Sequence, residues 1–197
     1  MVATPETYCP FSFAKLTDPF VEELSTRLRG RRVLEVFAGN GRLAGALAHR
    51  GVDVRATSLR SSHDGHAHGL LHPVEELDAV AAVRRYGGEA EVLLMSWPTV
   101  TEAAAVAALE WGDERPIAWI GEITLFDSGM AGLGGCATDL FHKITRIEEG
   151  ISAYIGKGPL DRAAFLSVRP ECVARWREGS RDPEAIAAPD GAAWPFR

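Results

Sequence analysis

Val33-Leu34-Glu35-Val36-Phe37-Ala38-Gly39-Asn40-Gly41-Arg42-Leu43 is the stretch on which the reading of this chain turns. Residues 33–37 form a short apolar run with two arginines on one side and a glycine turn on the other, the pattern of a buried parallel strand. Gly39 and Gly41 permit positive φ and let a backbone approach something closely. Leu43, Ala44, Ala46, Leu47 and Ala48 then predict a helix ended by Gly51, its first amides pointing at the turn, and 52–57 predicts a second strand. Strand, glycine turn, helix and strand make a right-handed parallel crossover unit. Glu35 breaks the apolar run. A carboxylate inside a buried strand is unfavourable unless it meets a cationic or polar partner, so the turn is expected to hold a ligand. Glycine turns between strand and helix also occur as plain tight connections.

Outward from this unit, strand and helix keep alternating. Phe20, Val21, Leu24 and Leu28 share one face of a helix over 18–30, with Asp18 as its cap and Gly30 as its stop. Residues 61–72 are polar and rich in Gly and His, a loop, and Leu70 and Leu71 are placed to start a short third strand. A helix is expected over 74–86, a strand over 92–95 ending in Ser96-Trp97-Pro98, an alanine-rich helix over 101–111, and a strand over 116–120 ending at Gly121-Glu122. Beyond a glycine-rich loop at 126–135, a helix over 138–147 and a strand over 163–168 follow. The expected fold is α/β: a single domain with a doubly wound, mostly parallel sheet and helices on both faces. Its parts are an N-terminal segment over 1–17 that could form a lid through Tyr8, Phe11 and Phe13, the domain proper over 18–178, and an irregular C-terminal tail over 179–197.

Composition narrows the function classes. The 197 residues, 46% of them hydrophobic, suffice for one core, and a net charge of −6 with no Lys/Arg cluster argues against a nucleic-acid surface and for a small-molecule substrate. Cys9, Cys136 and Cys172 are odd in number and widely spaced, as in reduced thiols of a cytoplasmic protein, and no apolar run approaches the roughly 20 residues of a membrane span. A homodimer is left open.

Gly39-x-Gly41-x-x-Ala44 formally satisfies a dinucleotide-binding fingerprint, but Glu35 favours a different ligand, a sulfonium amino acid bearing an ammonium group. The segment resembles the first motif of class I S-adenosylmethionine-dependent methyltransferases, in a variant with Phe-Ala-Gly-x-Gly. The resemblance is specific over residues 31–59 and continues in order to about residue 122. It implies a Rossmann-like domain in which Glu35, Phe37, Ala38, Gly39, Asn40 and Gly41 hold the methionine part of S-adenosylmethionine. It further implies that Asp78 and Ala79 meet the adenine, and that Ser96 and Trp97 line the transfer site. One departure stands out: the family's second strand ends in a carboxylate that binds the ribose hydroxyls, whereas Ala56-Thr57-Ser58-Leu59 offers hydroxyls, Ser58 among them. Asp64, in the loop beyond, could compensate.

Further candidates come from position. Glu122 at the carboxyl end of its strand is a possible general base or substrate anchor, and Trp97 could face a sulfonium. His63, His66, His68 and His72 are four of the six histidines. One of them, His63 for instance, could act as a base, and no metal site is assigned because the tract is compositional only. Three functions fit: methyl transfer from S-adenosylmethionine to a small acceptor, conversion of S-adenosylmethionine alone by a cyclase or lyase that releases methylthioadenosine, and non-catalytic ligand binding.

Overall fold

The computed structural model describes residues 13–59, 69–126 and 135–188. Seven strands, β1 (Arg32–Val36), β2 (Asp53–Ser58), β3 (Val74–Glu76), β4 (Val92–Ser96), β5 (Ile117–Glu122), β6 (Thr145–Gly150) and β7 (Asp161–Val168), form one sheet in the order β3-β2-β1-β4-β5-β7-β6. β1 to β5 pair in parallel, while β7 runs antiparallel to both β5 and β6. A dinucleotide-type sheet has the order 3-2-1-4-5-6, so an antiparallel β7 lodged between β5 and β6 separates this architecture from it.

Apolar residues alternate along the strands and feed two layers. On one face α1 (Asp18–Leu28) and α2 (Arg42–Ala48) place Phe20, Leu24, Leu28, Leu43 and Leu47 against Val33, Val92, Leu94, Ala118 and Ile120. On the other, α3 (Ala79–Tyr86), α4 (Ala103–Trp111), α5 (Asp139–Ile144), α6 (Pro170–Arg177) and α7 (Pro183–Ala187) accompany the cluster that holds Leu34, Val36, Leu93, Met95, Ile117 and Trp119. Trp119 is fully buried and stacks on Phe141 with ring centroids 4.6 Å apart. No helix of the described residues is long and apolar enough to cross a membrane.

Five local expectations are corrected. Residues 74–86 are not one helix: Val74 packs with Ala44 and Ala56, so 74–76 joins the sheet, and the helix begins only after Asp78. Leu70 and Leu71 start no strand and are exposed. The helix expected over 138–147 ends at Ile144, where the Thr145 hydroxyl donates to the Phe141 carbonyl at 2.8 Å and the chain turns into β6, an edge strand whose charged residues hide its period. The tail is not wholly irregular, because Asp182 caps α7, whose Ile186 and Ala187 are buried in the same cluster as Phe141 and Ile144. The cap of α1 is Thr17 rather than Asp18, and α6 has no counterpart among the expected elements.

Asp78 caps α3 by accepting the Ala81 amide at 2.8 Å. Asp78→Ala should therefore lower unfolding stability by about 1 kcal/mol, and Asp78→Asn should retain most of it, as read by urea denaturation without ligand.

Candidate functional site

The carboxyl ends of β1, β4 and β5 lie side by side, as doubly wound sheets arrange the ends that meet ligands. Register puts Glu35 beside Ala56 of β2 and Leu94 of β4. Its side chain faces α2, is 1% exposed, and takes one hydrogen bond from the Ala44 amide in the first turn of that helix. The second oxygen, Oε2, is buried with no partner. Burial pushes the carboxyl up to about 8, and the Ala44 amide only partly offsets this. A buried acceptor held at a helix N-terminus with one oxygen unmet is an incomplete arrangement that a cationic or donor group would complete.

The turn after β1 is wound left-handed at alternate positions: Phe37 at φ 60°, Gly39 at 57° and Gly41 at 78°. Phe37 is a bulky residue in this region, at a cost of about 1–3 kcal/mol that the surrounding structure must offset. The Ala38 amide donates to the Thr57 carbonyl at 3.1 Å, Gly41 closes on the Ala38 carbonyl at 2.9 Å, and the Asn40 carbonyl accepts from Leu71 at 2.8 Å. The two glycines differ in what surrounds them. A Cβ on Gly39 would meet nothing within 4 Å, whereas one on Gly41 would lie 2.8 Å from Val74 Cγ2 and 2.9 Å from His72 Cβ. Gly39 alone thus fits the expected close approach of a ligand, and Gly41 is required by the chain's own 72–74 segment.

The end of β4 carries the second strained aromatic, Trp97 at φ 50°, whose amide donates to the Ile120 carbonyl at 2.7 Å. Phe13 stacks on its ring at 5.6 Å, and the Lys157 amine lies 6.0 Å from the ring centre. The Trp97 indole nitrogen is buried without a well-formed hydrogen bond, although it lies near enough to the Tyr154 hydroxyl to favour the phenolate slightly. Burial nevertheless raises the Tyr154 phenol well above its usual range, helped by Asp161, whose Oδ1 accepts the phenol proton at 2.8 Å.

Glu122 ends β5 opposite Asp161, half-buried, with Oε2 accepting the Gly135 amide and its own amide donating to Cys136 Sγ at 3.3 Å. The Cys136 thiol is pushed up to about 12, chiefly by burial, with Glu122 and Asp161 adding to it, so it is no nucleophile. Ser96 ends β4 and Ser58, 3% exposed, ends β2 with its carbonyl accepting the Leu77 amide. Asp78 is committed to its cap through one oxygen, and Ala79 beside it is buried.

Glu35, Phe37, Ala38, Gly39, Asn40, Gly41, Ser58, Ser96, Trp97 and Glu122 therefore gather along one edge, and Asp78 and Ala79 follow the end of β3 at that edge. His63, with Asp64, His66 and His68, lies outside the described residues, as do Tyr8 and Phe11. His72 packs beside Gly41. Sequence reasoning missed Tyr154 and Asp161. Asp161 opens a largely apolar strand and draws notice only once β7 is known to run antiparallel, which brings the start of that strand to the carboxyl edge of the others.

No family model and no curated protein matches the sequence. Among solved structures, a variant of MtNAS in complex with S-adenosylmethionine is similar at TM-score 0.51 and 15% identity, over 77% of this chain and 62% of that one. The S-adenosylmethionine-dependent methyltransferase SibL in its apo form is similar at 0.49 and 14%, over 78% and 55%. Magnesium protoporphyrin IX methyltransferase (ChlM) from Synechocystis PCC 6803 with bound SAH is similar at 0.46 and 14%, over 76% and 81%. The chain thus spans only about six-tenths of the length of the first two. With its antiparallel seventh strand lodged between the fifth and the sixth, and its likeness to the first of these structures, the chain has the class I methyltransferase-like fold.

Proposed function

We propose that this chain binds S-adenosylmethionine at the end of β1 and transfers its methyl group to a small acceptor. The observation that carries the reading is Glu35, a buried carboxyl with one unmet oxygen beside a left-handed turn whose Gly39 is open to a ligand. That pairing fits an ammonium group and a polar amino-acid end. Bound there, S-adenosylmethionine would supply a methyl on a sulfonium, already a good leaving group, so the protein has chiefly to align acceptor and methyl. Glu35, Phe37, Ala38, Gly39 and Asn40 would hold the methionine end, with Gly41 shaping the turn, Ser58 would meet the ribose side, and Asp78 and Ala79 the adenine side. Ser96 and the Trp97 ring would wall the transfer point, with Phe13 over the indole shielding it from water. Glu122, one oxygen tied to the Gly135 amide, would use the other to take the acceptor's proton.

Thermal unfolding with S-adenosylmethionine, S-adenosylhomocysteine and NAD tests the binding step. At 100-fold excess over Kd a ligand of the native state adds about 2.7 kcal/mol, a rise in Tm of roughly 5–10 °C for a chain of this size. Both adenosyl ligands should give it, and a response to NAD alone would overturn the reading. Incubation with S-adenosylmethionine and no acceptor separates the chemistries: release of methylthioadenosine would replace methyl transfer by the cyclase or lyase reaction.

A further inference from the structure

We propose that Glu76, at the tip of β3, recognises the ribose diol of the adenosyl ligand and supplies the carboxylate that β2 lacks; this rests on the ligand assignment above. β2 and β3 run parallel with Ala56 beside Val74 and Ser58 beside Glu76. Side chains two apart share a face, and Ala56 and Val74 pack with Ala44 of α2, so Ser58 and Glu76 stand on the α2 face. Glu35, in register with Ala56, is on that face too. Ser58 and Glu76 therefore lie one step nearer the carboxyl edge than Glu35, about 7 Å along the strand direction, on strands flanking β1 opposite to β4 and β5, the strand that ends in Glu122.

The chemistry distinguishes the two neighbouring carboxylates. Glu75, on the opposite face, is consumed by Arg85 at 2.9 Å and the Tyr86 hydroxyl at 2.6 Å. The Glu76 carboxylate is exposed and makes no hydrogen bond or ion pair with any of the described residues. The Leu77 amide, donating to the Ser58 carbonyl at 3.3 Å, ties the exit of β3 to β2 and holds Glu76 beside Ser58. A vicinal diol presents two O–H donors. An ionised carboxylate can accept both, one on each oxygen, while the Ser58 hydroxyl alone cannot. Adjacent strands are about 4.8 Å apart, a gap that a glutamate side chain spans. The site would accordingly select adenosyl ligands that keep both ribose hydroxyls.

Calorimetric titration of parent and Glu76→Gln with S-adenosylhomocysteine and with its 2′,3′-dideoxy counterpart tests this. Glu76→Gln should weaken S-adenosylhomocysteine binding by about tenfold to hundredfold, the worth of a hydrogen bond to a charged group. It should leave the dideoxy ligand unaffected and unfolding stability nearly unchanged, which a merely structural role would not do. Equal binding of S-adenosylhomocysteine by parent and variant, or an equal loss for both ligands, would overturn the assignment of Glu76 while the ligand assignment stands. No binding of S-adenosylhomocysteine by the parent would instead overturn the ligand assignment, and this inference with it.

Discussion

Glu35→Gln should make the free protein more stable in alkaline solution while removing most of its affinity for S-adenosylmethionine. The first half follows from linkage. In the unfolded chain the carboxyl loses its proton near 4.5, whereas burial keeps it protonated in the folded chain up to about 8. Between those limits the unfolded state binds fewer protons than the native state, so stability falls as pH rises, by about 1.4 kcal/mol per unit, and levels off above the folded value. Glutamine has no such proton to lose. Urea unfolding at pH 5, 7 and 9 should show a slope in the parent that is missing in the variant, with the two nearly equal at pH 5. The second half follows from the ligand. An ammonium group beside Oε2 requires the ionised carboxylate, so binding would expel a proton and affinity should climb with pH towards 8, then fall as the ligand's own α-amino group loses its charge. Leaving one member of a buried charge pair unmatched costs about 2–5 kcal/mol, or roughly 30-fold to several thousandfold in Kd. Unchanged affinity in Glu35→Gln, measured by titration calorimetry, would remove the foundation of the proposed function.

That residue also shows how much the sequence could disclose. An acid inside an apolar strand is visible without a structure, because strand period and apolar flanks are local properties, and so are the glycine turn and the helix after it. What escaped was decided at long range. Val74 and its neighbours have helical spacing, yet they pair with β2 because Ala44 and Ala56 leave room for the valine side chain. β6 is charged at half of its residues and finds its place only against β7. Tyr154 and Asp161 belong to the candidate site because β7 reverses direction, a topological fact no local pattern carries. Trp97 was legible as a residue ending a strand, but its left-handed backbone and stacking on Phe13 were not.

Gly39 and Gly41, alike in the sequence motif, should separate sharply when each is changed to alanine. Both have positive φ, 57° and 78°, so each substitution carries the strain of an alanine in the left-handed region, about 1–2 kcal/mol. Gly39→Ala should lose little beyond this, because its Cβ would enter open space. At Gly41 the new Cβ would stand 2.8 Å from Val74 Cγ2 and 2.9 Å from His72 Cβ, closer than carbon atoms can settle. Relief requires moving the segment that leads into β3, and that segment is anchored by sheet pairing with β2 and by the Leu71 amide on the Asn40 carbonyl. Overpacking of this kind adds about 1–3 kcal/mol, so Gly41→Ala should cost about 2–5 kcal/mol in all. Ligand response should run the other way. Gly39→Ala, the less destabilised of the two, should lose the thermal shift with S-adenosylhomocysteine because its methyl occupies the space the ligand needs. Equal stability losses for the two variants in urea would contradict the packing of residues 72–74 against Gly41, and an undiminished thermal shift in Gly39→Ala would move the ligand away from this turn.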